Sequence, residues 1–198
     1  MTDLTTPILS SGFAGSLHAL PDGVQRVAAE LLRLGHAQTP VMLNDAARTA
    51  QQAADALGVA LGQIAKSIIF RRKPDGVAVL VVTSGDRRVD EARVQALVCL
   101  PPEDQALHDH EGTVFKLGRA NAEFVKQATG FSIGGVSPLA HATPPLTLID
   151  RELFRFDEVW AAAGHPHAVF RLSPHDLVAW TGAPVADVVL VEPPQSAA

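Results

Sequence analysis

The residues able to do chemistry fall into a few short stretches. Lys66 stands in Gln63-Ile64-Ala65-Lys66-Ser67-Ile68-Ile69-Phe70, a single ammonium at the head of an apolar strand. Burial would lower its pKa, and a lysine aimed into a pocket binds a carbonyl oxygen, a ribose hydroxyl or a phosphate. A lysine at a strand start also protects an edge from aggregation, so both roles stay open on this segment alone. Ile133-Gly134-Gly135-Val136-Ser137-Pro138-Leu139 holds the glycine pair a backbone needs to turn sharply and approach a ligand. Such glycines can present N–H groups to a developing oxyanion, because no Cβ blocks access.

Gly164-His165-Pro166-His167 is a closely spaced histidine pair with no Asp, Glu or Cys at matching spacing, which fits a pocket-lining loop better than a metal site. Cys99 is the one cysteine, without a neighbouring base, and reads as a small buried hydrophobe. His108 and His110 read as solvated loop. The basic runs Arg71-Arg72-Lys73 and Arg87-Arg88 read as solvated charge beside loops, of interest only if they flank a pocket. No GxGxxG and no P-loop occurs.

These residues need elements to hold them. Asp22 followed by Gln25 reads as a capping box for a first helix that stops at Gly35, and Thr49 with Gln52 repeats the signal for a second that stops at Gly58. Residues 68–70 and 77–83 are β-branched runs joined by Pro74-Asp75-Gly76, which predicts an antiparallel hairpin. Further helices are expected over 91–97 and 121–129, the latter ended by Gly130. Strands are expected over 146–149, 159–163, 168–172 and 185–191, with Ser173-Pro174 opening a helix that closes at Gly182. Helices and strands intermingle without regular βαβ alternation, which predicts an α/β fold with a curved, barrel-like mixed sheet surrounded by helices.

The chain has 198 residues, enough for one core, so a single domain over residues 21–191 is expected between an N-terminal extension (1–20) and a disordered tail (192–198). An apolar fraction of 47 % against 19 % charged is too hydrophobic for disorder, and no apolar run approaches the roughly 20 residues of a spanning helix. With no basic leader ahead of the first apolar patch, a cytoplasmic location is expected. The net charge of −5 argues against gripping long stretches of phosphate backbone, so any nucleic-acid partner would be held over a small footprint.

Together the segments resemble the YbaK/EbsC-like family of aminoacyl-tRNA deacylases, which includes free-standing prolyl-tRNA editing proteins and the matching domain of bacterial prolyl-tRNA synthetases. The carriers are residues 49–58 with Gln63-Ile64-Ala65-Lys66-Ser67, then Gly85-Asp86-Arg87-Arg88-Val89-Asp90, then Thr129 through Leu139, and finally Pro166-His167-Ala168-Val169-Phe170. The resemblance implies hydrolysis, without metal or cofactor, of the ester between an amino acid and the terminal ribose of tRNA, tRNA-Pro carrying a small residue above all. It makes Lys66 the catalytic residue and sets Gly134, Gly135, Val136, Ser137 and Pro138 at the aminoacyl pocket; Ser67, Ala163, Gly164, His165 and His167 complete the expected substrate-binding set. The implied partner is the CCA end, with prolyl-tRNA synthetase or an elongation factor as proteins that handle the same tRNA. Family members that clear cysteine carry a serine before the glycine matching Gly164 and an aspartate near Phe170. Here those places hold Ala163 and Phe170, which favours a small uncharged amino acid, alanine ahead of cysteine or serine. A non-catalytic binding or regulatory protein on the same fold is the alternative.

Overall fold

A computed structural model describes residues 20–43, 49–99 and 114–190. The expected extension, the C-terminal tail, His108 and His110 lie outside the described residues.

An eight-stranded mixed sheet forms the centre. The hairpin strands are β2 (Ile64–Lys73) and β3 (Ala78–Ser84), paired antiparallel from Ala65↔Ser84 to Arg71↔Ala78. Around them lie β1 (Val41–Met42), β4 (Lys116–Arg119), β5 (Leu146–Asp150), β6 (Val159–Ala162), β7 (Ala168–Leu172) and β8 (Val185–Ala186). The strand order is β1-β7-β6-β2-β3-β5-β8, with β4 pairing β2 off this path. The β2/β6, β3/β5 and β5/β8 pairs are parallel and the rest antiparallel, so the sheet is mixed as expected. All of β3 is buried, which is why it reads as a continuous Val/Leu run rather than an alternating one.

Helices α1 (Asp22–Arg33), α2 (Ala50–Leu57), α3 (Glu91–Cys99), α4 (Ala122–Thr129) and α5 (Pro174–Thr181) surround the sheet. The largest core gathers Val24, Val27 and Leu31 of α1 with Phe131, Phe170 and Leu177. A second core under α3 joins Phe70, Val79 and Val81 to Val94. Burying these side chains on both sheet faces supplies the main stabilisation, roughly 1.5–3 kcal/mol for each large one.

Local signals are realised with two corrections. Thr49 and Gln52 form the capping box of α2, and Gly58, Gly130 and Gly182 close their helices in the left-handed conformation. The α1 capping box expected at Asp22 does not form. Pro21 is the N-cap, Asp22 sits in the first turn where its charge favours the helix dipole, and Gln25 Nε2 donates instead to the Leu20 carbonyl at 2.7 Å. The strand expected over 185–191 shrinks to β8, because the chain then changes partner. Arg151 holds Asp187 at 2.9 Å, and Asp90 N–H and Leu190 N–H bond across to Val188 and Arg88. Cys99 is partly buried beside the second core, and burial pushes its thiol pKa up.

Candidate functional site

Strand β2 is flanked on one edge by β3 throughout, but on the other edge its neighbours change. Pairing with β6 ends at Ala65 and pairing with β4 begins at Phe70. Backbone groups alternate edges along an antiparallel strand, and Arg72 N–H points to the β3 side, where it bonds the Val77 carbonyl. Ser67 therefore presents its N–H and C=O to the edge where β6 and β4 have parted. Ser67 Oγ is buried and has no hydrogen-bond partner among the described residues.

A cavity of about 250 Å³ opens at this parting. Its floor is residues 64–68 of β2; one side is Thr49, Ala50 and Ala53 at the start of α2, and the other is Trp160 and Ala162 of β6 with Val169 of β7. Gly134, Val136 and Pro166 close the remaining wall. Among the described residues the lining is apolar except for Thr49, Lys66, Ser67, the Trp160 indole N–H and backbone, a composition suited to a small organic group fixed by a few polar contacts.

Lys66 is half-buried and directly opposite Thr83 across the hairpin. Its Nζ donates to the Arg87 carbonyl at 2.9 Å. Burial lowers its pKa, and the nearby Asp86 and Asp150 carboxylates offset part of that fall. The turn carrying Arg87 is fastened at several points. Arg155 Nη2 donates to both Asp86 oxygens, at 2.7 and 3.0 Å, and Arg87 Nε donates to Glu152 at 2.8 Å. Burial alone would raise the Asp86 pKa, but hydrogen bonds from Arg155 and Ser84 outweigh it and hold the carboxyl below its ordinary range. Behind them Asp150, fully buried, accepts from Thr83 Oγ1 at 2.7 Å and from Ser84 N–H at 3.2 Å. Sequence reasoning misses Asp86, Asp150, Glu152 and Arg155 as site residues. The 85–90 segment is a signal for the first, but nothing local marks residues 150–155, which arrive by the parallel β3/β5 pairing.

The glycine loop reaches the cavity as a tight structure. Gly134 has φ +86° and lines the wall; Gly135 N–H is committed to the Ser132 carbonyl at 3.0 Å, so it is not free to face an oxyanion. A Cβ at Gly135 would come within 2.6 Å of the His165 carbonyl carbon, so this glycine permits contact between two loops. Val136 lines the cavity, while Ser137 is buried with its Oγ accepting from Leu139 N–H, and Pro138 is buried.

The remaining sequence candidates sit behind the wall rather than on it. Ala163 is fully buried in the main core, as is Phe170, and it is Ala162 that faces the cavity, since successive strand residues face opposite ways. Gly164, at φ +87°, lies backbone to backbone against Gly23. His165 Nδ1 accepts from His167 N–H at 3.2 Å, and the two rings stack edge to face at 5.4 Å; Pro166 between them is the residue that lines the cavity. Among the described residues no group of three His, Cys, Asp or Glu side chains converges to hold a metal ion, and no helix is long and apolar enough to cross a membrane.

Comparison with known proteins agrees with this architecture. The model of the aminoacyl-tRNA editing domain matches residues 44–99 and 105–179. Protein YwhH of Bacillus subtilis (strain 168), itself uncharacterized, is 33 % identical over 129 residues, 65 % of this chain and 72 % of YwhH. Among solved structures, one described as a candidate trans-editing enzyme for prolyl tRNA synthetase is 38 % identical with a TM-score of 0.74, covering 87 % of this chain and 99 % of its own. Hypothetical protein APE2540 is 29 % identical with a TM-score of 0.69, covering 83 % and 99 %.

Proposed function

The chain belongs to the aminoacyl-tRNA editing domain family, and from that premise we propose that it is a trans-editing deacylase that clears a small, uncharged amino acid from mischarged tRNA-Pro. The observation that carries this reading is the half-buried Lys66 on the floor of an apolar cavity, next to Ser67, whose backbone N–H and C=O face the edge where β6 and β4 part.

In the proposed reaction Lys66 donates an N–H to the ester carbonyl oxygen and stabilises the negative charge that develops there. Water adds to the acyl carbon, the bond from that carbon to the ribose oxygen breaks, and the proton lost by the water goes to the departing ribose hydroxyl. An aminoacyl ester is already activated, so positioning and carbonyl polarisation are asked to supply most of the acceleration. Ser67, with its edge-facing backbone N–H and C=O, is suited to the substrate amine or the ribose. The proposed route uses no metal: its polarising group is the Lys66 ammonium.

Ala50, Ala53, Ala162 and Val169 offer the acyl group only apolar surface. Discrimination therefore rests on size, worth about 1–3 kcal/mol per methylene. The 38 % identity to a candidate trans-editing enzyme for prolyl tRNA synthetase supports tRNA-Pro as the partner. The test is deacylation of alanyl-, cysteinyl-, seryl- and prolyl-tRNA-Pro by the purified protein. The expected order puts alanine first and leaves prolyl-tRNA intact; strong preference for cysteine would refute the size argument, and hydrolysis of none would refute deacylation.

A further inference from the structure

Beyond the cavity, β2 continues into a concentration of positive charge. Strand alternation puts Ser67, Ile69, Arg71 and Lys73 on one face, and the register with β4 sets Gly118 opposite Arg71 and Lys116 opposite Lys73. Two lysines directly opposed across an antiparallel pair repel each other. Gly118 lies against the Lys73 side chain, since a Cβ there would stand 3.8 Å from Lys73 Nζ, at ordinary contact distance. Arg71, Lys73 and Lys116 are all exposed, and among the described residues none has an ion-pair partner. The cations of the same two strands that face the other way are neutralised, Arg72 by Asp75 and Arg119 by Glu91.

The charge extends back toward the cavity along α4. Arg71 lies over the Phe124 ring at 5.1 Å, exposed Lys126 follows on the same helix, and exposed Arg26 lies over Phe131 at 4.3 Å, just ahead of Gly134 at the cavity. The acidic residue of that helix, Glu123, is engaged by Gln127. On a molecule of net charge −5, a one-sided grouping of cations calls for an anionic partner.

We propose that this face seats the phosphates of the tRNA acceptor arm upstream of the esterified ribose, with Arg71, Lys73 and Lys116 as the main contacts. The inference rests on the editing reading for its partner. By strand rise, Arg71 and Lys73 lie about 13 and 20 Å along β2 from Ser67, so they meet phosphates several nucleotides from the reacting ester and not the ester itself. Contacts of this kind position the substrate and carry no sequence information.

The test is the triple variant Arg71→Gln, Lys73→Gln, Lys116→Gln, assayed on alanyl-tRNA-Pro and on 3′-O-alanyl-adenosine, which has no acceptor arm. The variant is expected to lose about tenfold or more in kcat/KM on the tRNA and to flatten its salt dependence by a slope of about two, as released counterions require. Its rate on the small ester is expected to match the wild type. An unchanged tRNA rate and salt slope would overturn the proposal, as would an equal loss on both substrates. If the wild type hydrolyses neither substrate, the editing reading fails, and binding of deacylated tRNA-Pro decides the surface separately: salt-sensitive binding lost in the variant supports it, and binding that is absent or equal in both proteins overturns it.

Discussion

An ammonium partly removed from water is costly unless its N–H groups find acceptors, and the Arg87 carbonyl takes one of the three that Lys66 carries. Among the described residues no second acceptor bonds it, which leaves the other two for the proposed ligand. Because burial lowers the Lys66 pKa below its ordinary 10.5, the proton that its proposed role requires is lost earlier than from a free lysine. Enzymatic deacylation, corrected for spontaneous hydrolysis, should fall on the alkaline side with a midpoint below 10.5; a rate that follows hydroxide alone would argue against the role. Lys66→Met removes the desolvated charge but keeps the apolar stem, so activity should vanish while stability stays within about 1 kcal/mol. A second titrating residue acts on the fold rather than the reaction. His141 packs edge to face on Phe131, and burial depresses its pKa from 6.5 to about 4. Its neutral form is the one the folded protein holds, so its contribution is complete above pH 6.5 and is lost as pH falls toward about 4. Denaturant melts between those values should show a decline of about 2–3 kcal/mol that His141→Leu lacks; equal decline in both proteins would assign the acid sensitivity elsewhere.

At the scale of elements, the site depends on contacts between loops and turns. Gly135→Ala forces a Cβ into the His165–Pro166 backbone, so the loss of activity should come with a loss of stability of about 1–3 kcal/mol through strain. Unchanged melting with activity lost would mean that the glycine guards the substrate directly. Arg155 holds Asp86, and with it the turn whose carbonyl receives Lys66. Arg155→Ala should lower kcat by about tenfold or more with little change in KM, as loss of orientation does, and Arg155→Lys should restore part of it; a KM effect alone would make Arg155 a binding residue. Much of this is legible in sequence. The hairpin, the Thr49 and Ser173 caps and the glycine stops are written in local residue types, and Lys66 stands out as the lone charge of an apolar run. What is not legible depends on tertiary partners. Strand β4, Lys116-Leu117-Gly118-Arg119, is too polar and glycine-broken to signal a strand, and forms because β2 offers it an edge. Ala162 rather than Ala163 faces the cavity because a one-residue difference in strand phase exchanges the two faces.

For the whole molecule, the sheet gathers distant segments around the two ends of β2: a small apolar cavity with a lysine at one end, and a cluster of cations, completed by Lys116 of β4, at the other. On the proposed reading, an acidic protein thereby addresses a polyanionic substrate over a limited footprint and places one ester at the lysine. The proposed selectivity is for the acyl group's size, since among the described residues no carboxylate or imidazole lines the cavity to read a polar side chain. The most direct measurement is the single-turnover rate of alanyl-tRNA-Pro hydrolysis by the wild type and by Lys66→Ala, with prolyl-tRNA-Pro as the control. The account predicts rapid release of alanine by the wild type, a rate at the spontaneous level for Lys66→Ala, and no release of proline by either. Full activity in Lys66→Ala would contradict it.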